Sequence, residues 1–142
     1  MYKKIVRGMS LLFAVLMLMS TSTFAMDMRA STRIDSSSAI VKAGTDGNLW
    51  IYFSVDAVSV MDDLGASKIA IQRYSGSRWI TESTLTPEDV PEMQTTDDIW
   101  HSATIPYSPK YSGYSYRAVV DIYATNSTGT STKTLTSHSV TM

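Results

Sequence analysis

A segment in which apolar and polar side chains alternate without a break, "LWIYFSVD" from Leu49 to Asp56, most constrains the fold of this chain. Successive side chains of a β-strand point to opposite faces, so this alternation predicts a half-buried strand. The predicted core face contains Leu49, Ile51, Phe53 and Val55, and the predicted outer face contains Trp50, Tyr52, Ser54 and Asp56. Trp50 and Tyr52 are therefore predicted to face outward as neighbours on one strand.

The same alternation returns in several later segments that are separated by turn-forming residues. "KIAIQRY" and "WITEST" flank the turn "SGSR" and predict a hairpin that places Ile69 and Ile71 inward. "IWHSATI" predicts a further strand, and "TDGN" before Leu49 allows Ala39–Ala43 to pair as an earlier one. Last, "RAVVDIYA", the turn "NSTG" and a Thr-rich segment predict a final hairpin. Its last strand has few large apolar groups, which is typical of a sheet edge.

Two segments depart from this pattern. In "VMDDLGAS", Met61 and Leu64 are three residues apart and Gly65 can end a helix, so the spacing predicts a short helical turn. The stretch Thr84–Asp98 contains two prolines and many polar residues, so we expect a long loop. About seven strands at roughly ten-residue spacing, with no long helix between them, predict an all-β fold. The expected architecture is a single antiparallel β-sandwich of the immunoglobulin or fibronectin type III kind.

The N-terminal segment predicts an exported protein. Residues 1–25 combine a basic start, an apolar run and small residues before Ala25, which is the three-part pattern of a signal peptide. An N-terminal membrane anchor is the alternative, but the apolar run is short for a membrane span. Cleavage after Ala30 is a second option. We expect a flexible lead-in over 26–38 and the sandwich domain over 39–142.

Composition limits the compartment and the partners. The chain has no cysteine, which excludes disulfides and thiol chemistry and favours a bacterial over an animal source for an exported domain. Its formal net charge is −1, and removal of residues 1–25, which carry Lys3, Lys4 and Arg7, makes it more negative. Nucleic acid and anionic membrane surfaces call for a basic face, so neither is an expected partner. An extracellular glycan or protein fits better.

Two resemblances support this fold. "ATNSTGTS" resembles the turn between the last two strands of fibronectin type III domains, and "LWIYF" resembles their second strand, with Phe53 in place of the usual tryptophan. The tyrosine that these domains place before the turn is replaced by Ala118, and Tyr116 lies just upstream. "GNLWIYFSV", "MDDLGASKIAI" and "SGYSYRAVVDIYA" are similar to a family of small exported proteins of Gram-positive, often gut, bacteria. That resemblance implies secretion and a sandwich-like fold, and it implies no catalytic or binding residues.

Candidate chemistry is sparse. The two histidines, His101 and His138, are isolated, and no serine stands in a nucleophile motif, so we predict no catalytic residues and no cofactor. The stretch from Glu82 to Asp98 carries six acidic residues and no basic one, which leaves calcium binding or a solvated acidic loop as interpretations. It lacks the spacing of known calcium loops, so we predict no metal site.

Two functional hypotheses remain. The first is a secreted, non-catalytic binding or structural module at the cell exterior that acts through Trp50 and Tyr52, since aromatic rings stack on sugars and anchor protein interfaces. The alternative is a small secreted glycan hydrolase that uses two carboxylates, from Asp121 or the Glu82–Asp98 stretch. Trp79 and Trp100 are predicted to lie in the core or at its rim.

Overall fold

The structure is a computed structural model that describes residues 33–142, of which 72% lie in β-strands. Its elements are seven strands and a 3₁₀ turn at Pro91–Met93. The strands are β1 (Ile34–Ala43), β2 (Leu49–Tyr74), β3 (Trp79–Leu85), β4 (Gln94–Tyr107), β5 (Ser115–Asn126), β6 (Gly129–Thr136) and β7 (Val140–Thr141). The predicted all-β fold is therefore confirmed. The predicted signal peptide lies outside the described residues.

All strands belong to one antiparallel sheet that is curled into a half-barrel. The long strand β2 passes through the whole sheet. Its first half pairs with β1 on one side and β4 on the other, and its second half pairs with β5 and β3. β6 and β7 both continue the sheet beyond β5. Because β2 serves both halves, their inner faces enclose one core.

The core is formed by the inner residues of the alternating segments. The inward residues predicted on β2, from Leu49 to Val55 and at Ile69 and Ile71, are confirmed, because all of them are fully buried. Alternate residues of β5 from Ala118 to Ala124 are also fully buried. Burial of apolar side chains of this size is the main stabilising contribution of the sheet. The buried apolar residues are Val41, Leu49, Ile51, Phe53, Val55, Ala57, Met61, Leu64, Ala66, Ile69, Ile71, Met93, Ile105, Tyr116, Ala118, Val120, Ile122 and Ala124.

The helical turn predicted around Met61 and Leu64 is wrong, because this segment continues β2. The pairing of β2 with β4 is irregular between Asp56 and Met61, and its pairing with β5 is irregular between Ala66 and Lys68. Such bulges interrupt the alternation, so that a strand buries residues at uneven spacing. Gly65 has φ +152° and the Met93 carbonyl oxygen occupies the place of a side chain there. The glycine therefore permits close packing of the chain and ends no helix.

The long loop predicted over Thr84–Asp98 is confirmed for residues 86–93 and wrong at both of its ends. β3 continues to Leu85 and β4 begins at Gln94, so only residues 86–93 are irregular. The acidic residues Asp97 and Asp98 are tolerated in β4 because this strand pairs only with β2 and leaves its other edge unpaired within residues 33–142.

The remaining boundaries differ little from the expectations. β1 begins at Ile34, so part of the predicted flexible lead-in belongs to a strand. Both predicted hairpins are confirmed: Tyr74 pairs with Trp79, and Asn126 pairs with Gly129 across a two-residue turn. The Thr-rich strand β6 lies at an edge of the sheet, as predicted.

Candidate functional site

The outer side of the first half of the sheet carries the two residues that the sequence singled out. Trp50 is paired with Lys42 on β1 and with Pro106 on β4, and Tyr52 lies opposite Ile40 on β1. Both aromatic side chains are partly exposed. We call the surface formed by Ile40, Lys42, Trp50, Tyr52 and Thr104 the Trp50 face; it surrounds a shallow concavity of about 320 Å³.

The β1–β2 turn fixes the position of the Trp50 ring. A side chain on Gly44 would place its first carbon 2.5 Å from Trp50 Nε1, so only glycine leaves room for the indole there. Asp46 in the same turn accepts hydrogen bonds from the Asn48 backbone amide (3.0 Å) and side chain (3.1 Å). The Asn48 amide is the largest of the contacts that lower the pKa of Asp46, and Trp50 contributes a smaller part. The carboxylate beside the ring is thus kept ionised.

Polar side chains continue the outer face beyond the aromatic pair. Ser38 and Ser54 share a hydrogen bond of 2.8 Å, and Ser36 donates one of 2.6 Å to Asp56. Trp100 lies across from Asp56 and is 55% exposed. The prediction that Trp100 belongs to the core or its rim is therefore wrong, because it occupies an outward position of β4. The exposed surface has aromatic rings bordered by hydroxyl groups.

A second cluster, which the sequence did not reveal, closes one end of the half-barrel. The β2–β3 pairing skips Glu82, since Ile71 pairs with Ser83 and Gln72 with Thr81. A bulge of this kind re-aims the side chain of the extra residue. The Glu82 side chain is only 5% exposed and points into the end of the core.

Two tyrosines and an arginine surround the Glu82 carboxylate; we call the four residues the Glu82 cluster. Tyr107 donates a hydrogen bond to Glu82 Oε2 (2.6 Å) and Tyr116 donates one to Oε1 (2.9 Å). Arg73 Nε lies 3.6 Å from Oε1, an ion-pair distance that is too long for a hydrogen bond. The Lys110 backbone amide completes the shell at 3.3 Å.

The contacts of the Glu82 cluster fit together electrostatically. Burial raises the pKa of Glu82, but the two tyrosine hydroxyls, the Lys110 amide and Arg73 together bring it below its usual 4.5. Burial and the hydrogen bond to Glu82 raise the pKa of Tyr116 to about 12 and raise that of Tyr107 even further. The cluster therefore stays as one carboxylate and two neutral phenols across the physiological pH range.

This cluster holds the connector between β4 and β5 in place. Besides the Lys110 amide, the Arg73 guanidinium lies 4.6 Å from the ring centre of Tyr111 and 4.8 Å from that of Tyr114. Glu82 accepts three hydrogen bonds within the chain, which does not suit a general acid or a ligand contact. One signal for it was present in the sequence: the inward alternation of β5 extends back to Tyr116.

The other candidate residues are dispersed. Asp121 accepts a hydrogen bond from Thr134 (2.6 Å) and pairs with Lys68 (3.1 Å), and these contacts lower its pKa despite partial burial. His101 packs against Phe53 at a ring distance of 5.8 Å, at the edge of the core, and His138 is exposed. Among residues 33–142, no three His, Cys, Asp or Glu side chains are grouped so as to hold a metal ion.

Comparisons of the chain with protein-family models, with curated proteins and with solved structures found no match. Between residues 33 and 142, no helix has the length and apolar character that crossing a membrane requires. The functional argument therefore depends on the geometry of the surface.

Proposed function

We propose that this protein is an exported, non-catalytic β-sheet module that binds a carbohydrate chain at the cell exterior through the Trp50 face. The observation that carries the proposal is the juxtaposition of Trp50 and Tyr52 on β2, beside a concavity of about 320 Å³ whose lining residues come from the three neighbouring strands β1, β2 and β4. Binding sites for small ligands are typically concave and apolar with a few polar groups at defined positions. This surface has that composition.

The chemistry of the Trp50 face fits a sugar. One side of a pyranose ring presents C–H groups, which pack against the flat face of a tryptophan or tyrosine. The hydroxyl groups of the sugar require donors and acceptors nearby, and Lys42, Asp46 and Thr104 provide both kinds around the rings. The backbone beneath the rings is a hydrogen-bonded sheet, so little ordering entropy is lost on binding.

Export and the finer fold class are part of the same proposal. The signal-peptide pattern of residues 1–25 and the resemblance to small exported proteins of Gram-positive bacteria support a place outside the cell. The two halves of the curled sheet, packed around one core, support classification as a sandwich of the immunoglobulin or fibronectin type III kind.

The alternative of a carboxylate-dependent glycan hydrolase has less support. A general acid needs a raised pKa, whereas the surroundings of Glu82 and Asp121 lower theirs. Both carboxylates also have hydrogen-bond partners within the chain. Incubation with the bound oligosaccharide should leave its chain length unchanged, and release of new reducing ends would restore the hydrolase hypothesis.

The test of the binding proposal is a panel of neutral oligosaccharides, including soluble cell-wall fragments, presented to the purified protein and to three variants. Trp50→Ala and Tyr52→Ala should each weaken binding of a recognised oligosaccharide at least roughly fivefold, because truncation of an aromatic anchor residue costs more than about 1 kcal/mol. Trp100→Ala is the matched control, since it removes an exposed tryptophan from the same outer face at a distance from the concavity.

Three results would reject the proposal. They are no binding to any member of the panel, equal losses in Trp100→Ala and Trp50→Ala, and binding only to a protein. Thermal melts of each variant separate lost binding from lost folding, because a ligand that binds the folded state raises the melting temperature.

A further inference from the structure

A second aromatic surface lies on the outer side of the other half of the sheet. Tyr74 and Trp79 form the cross-strand pair that closes the β2–β3 hairpin, with ring centres 5.2 Å apart. Arg117 on the neighbouring strand β5 places its guanidinium 4.2 Å from the centre of the Trp79 ring. Because Trp79 lies against Arg117 on this outer side, the expectation that it lies in the core or at its rim is wrong. We call Tyr74, Trp79 and Arg117 the Arg117 face.

The orientation of Arg117 is fixed by its neighbours. Its Nε donates a 2.8 Å hydrogen bond to Gln72 Oε1, and the Gln72 amide in turn lies 3.5 Å from Thr81 Oγ1. Stacking on Trp79 holds the plane of the guanidinium, and the bond to Gln72 holds its rotation. The two terminal nitrogens of an arginine held in this way form a planar fork that matches a carboxylate.

Arg117 has no acidic partner in the part of the chain that the structure describes. The ion pairs found there are Lys68–Asp121 and Arg73–Glu82. The hairpin segment 74–81, "YSGSRWIT", adds Arg78 and contains no acidic residue. The surface is therefore locally basic on a chain with a formal net charge of −1. This positive charge is complementary to an anionic ligand, and the hairpin has no acidic side chain that would repel such a ligand.

We propose that the Arg117 face binds an acidic sugar residue of a polysaccharide, with the Arg117 fork on the sugar carboxylate and the partly exposed Tyr74 ring against the pyranose. The Arg117 guanidinium and the Tyr74 ring both contact Trp79, so a ligand that lies over Trp79 reaches both of them. Serine and threonine hydroxyls of the hairpin, Ser75 and Thr81 among them, complement a polyhydroxylated ligand better than an acidic peptide. The site is separate from the Trp50 face and does not depend on its function.

The experiment measures binding of the purified protein to an oligogalacturonate and to the methyl ester of the same oligosaccharide. Esterification removes the charge and keeps the sugar rings. Since hydrogen bonds to a charged group contribute about 1.5–3 kcal/mol, the ester should bind at least roughly tenfold more weakly. Arg117→Gln should weaken binding of the acid to about the level of the ester, and Arg117→Lys should do so in part. Trp100→Ala, which removes an exposed tryptophan that belongs to neither face, should leave this binding unchanged.

Several outcomes would overturn the inference. They are an absence of oligogalacturonate binding, equal binding of acid and ester, retention of binding in Arg117→Gln, and equal or tighter binding of a polyglutamate peptide. The comparison of acid and ester needs no variant, so it remains decisive if a substitution at Arg117 disturbs folding. If neutral sugars fail to bind but the acid binds through Arg117, the Trp50 proposal fails while this one holds.

Discussion

The Glu82 cluster and the Trp50 face place polar and aromatic side chains together in opposite ways. In the Glu82 cluster, the carboxylate receives hydrogen bonds from two tyrosines and a backbone amide, and its side chain is 5% exposed. On the Trp50 face, the rings lie side by side on the outer surface and border a concavity. The first arrangement uses its groups to hold the chain together, and the second leaves ring surface for another molecule.

The difference shows that a buried carboxylate with a shifted pKa can serve to stabilise the fold rather than to carry out a function. Glu82 has the burial, partners and lowered pKa that often mark functional sites. Its partners, however, come from β4, β5 and the connector that it holds in place. A carboxylate that accepts three hydrogen bonds from its own chain is better placed to stabilise than to react. Substitutions in the two regions should therefore separate stability from binding.

Glu82→Ala should have the largest effect on stability. It leaves the hydroxyls of Tyr107 and Tyr116 and the Arg73 guanidinium without their carboxylate, and loss of charged hydrogen bonds of this kind costs roughly 3 kcal/mol in total. Urea unfolding followed by tryptophan fluorescence measures the change. Glu88→Ala, the same substitution at an exposed acidic residue, should stay within about 0.5 kcal/mol. Similar values for both would show that the cluster does not stabilise the fold.

Removal of one hydroxyl group gives a finer comparison of the two regions. Tyr107→Phe should cost about 1–2 kcal/mol, because it deletes a 2.6 Å hydrogen bond to an ionised carboxylate. Tyr52→Phe on the Trp50 face should cost less than about 0.5 kcal/mol, since surface changes away from such bonds are small. Equal costs measured by the same urea titration would mean that Tyr52 is a structural residue and that the proposed face is part of the fold.

The alternation of apolar and polar residues predicted most of the strands and the outward position of the Trp50 face, but not the Arg117 face. Residues from Leu49 to Val55 alternate cleanly, so the inner and outer sides of the first half of β2 followed directly, and β5 shows the same alternation in its burial. The same rule placed Trp50 and Tyr52 on the outside. Period-two patterns carry this information because each residue of a regular strand turns its side chain to the opposite face.

The failures occur where the strands are irregular. Bulges after Asp56 and after Ala66 broke the period and made Met61 and Leu64 look helical. The bulge at Glu82 turned a residue of the acidic stretch into a core-edge carboxylate, which no spacing rule indicates. Arg117 and Trp79 are far apart in sequence, and only the pairing of β2 with both β3 and β5 brings them together. Contacts of this kind require the register of the sheet.

The pH dependence of stability should separate the contribution of the Glu82 charge from that of the shape of its side chain. Because its pKa in the folded protein lies below the usual 4.5, the ionised form stabilises the fold above that pH. This contribution is lost as the pH falls through the folded pKa. The stability difference between the protein and Glu82→Gln should thus be constant near neutral pH and shrink below about pH 4.5. A difference that grows on acidification would contradict the lowered pKa; contributions such as that of Asp121 cancel in the subtraction.

A small change in stability, and the most informative one for the Trp50 face, is expected of Gly44→Ala. The added carbon would meet the side chains of Asp46 in the turn and Trp50 at the start of β2, and both side chains lie at the surface, where they can shift at a cost below about 1 kcal/mol. The shift moves the indole away from its place beside the concavity, so sugar binding should fall while the melting temperature barely changes. Thr45→Ala in the same turn is the control and should alter neither. If Trp50→Ala abolishes binding and Gly44→Ala leaves it intact, the turn does not position the ring, and the ligand itself must order the indole.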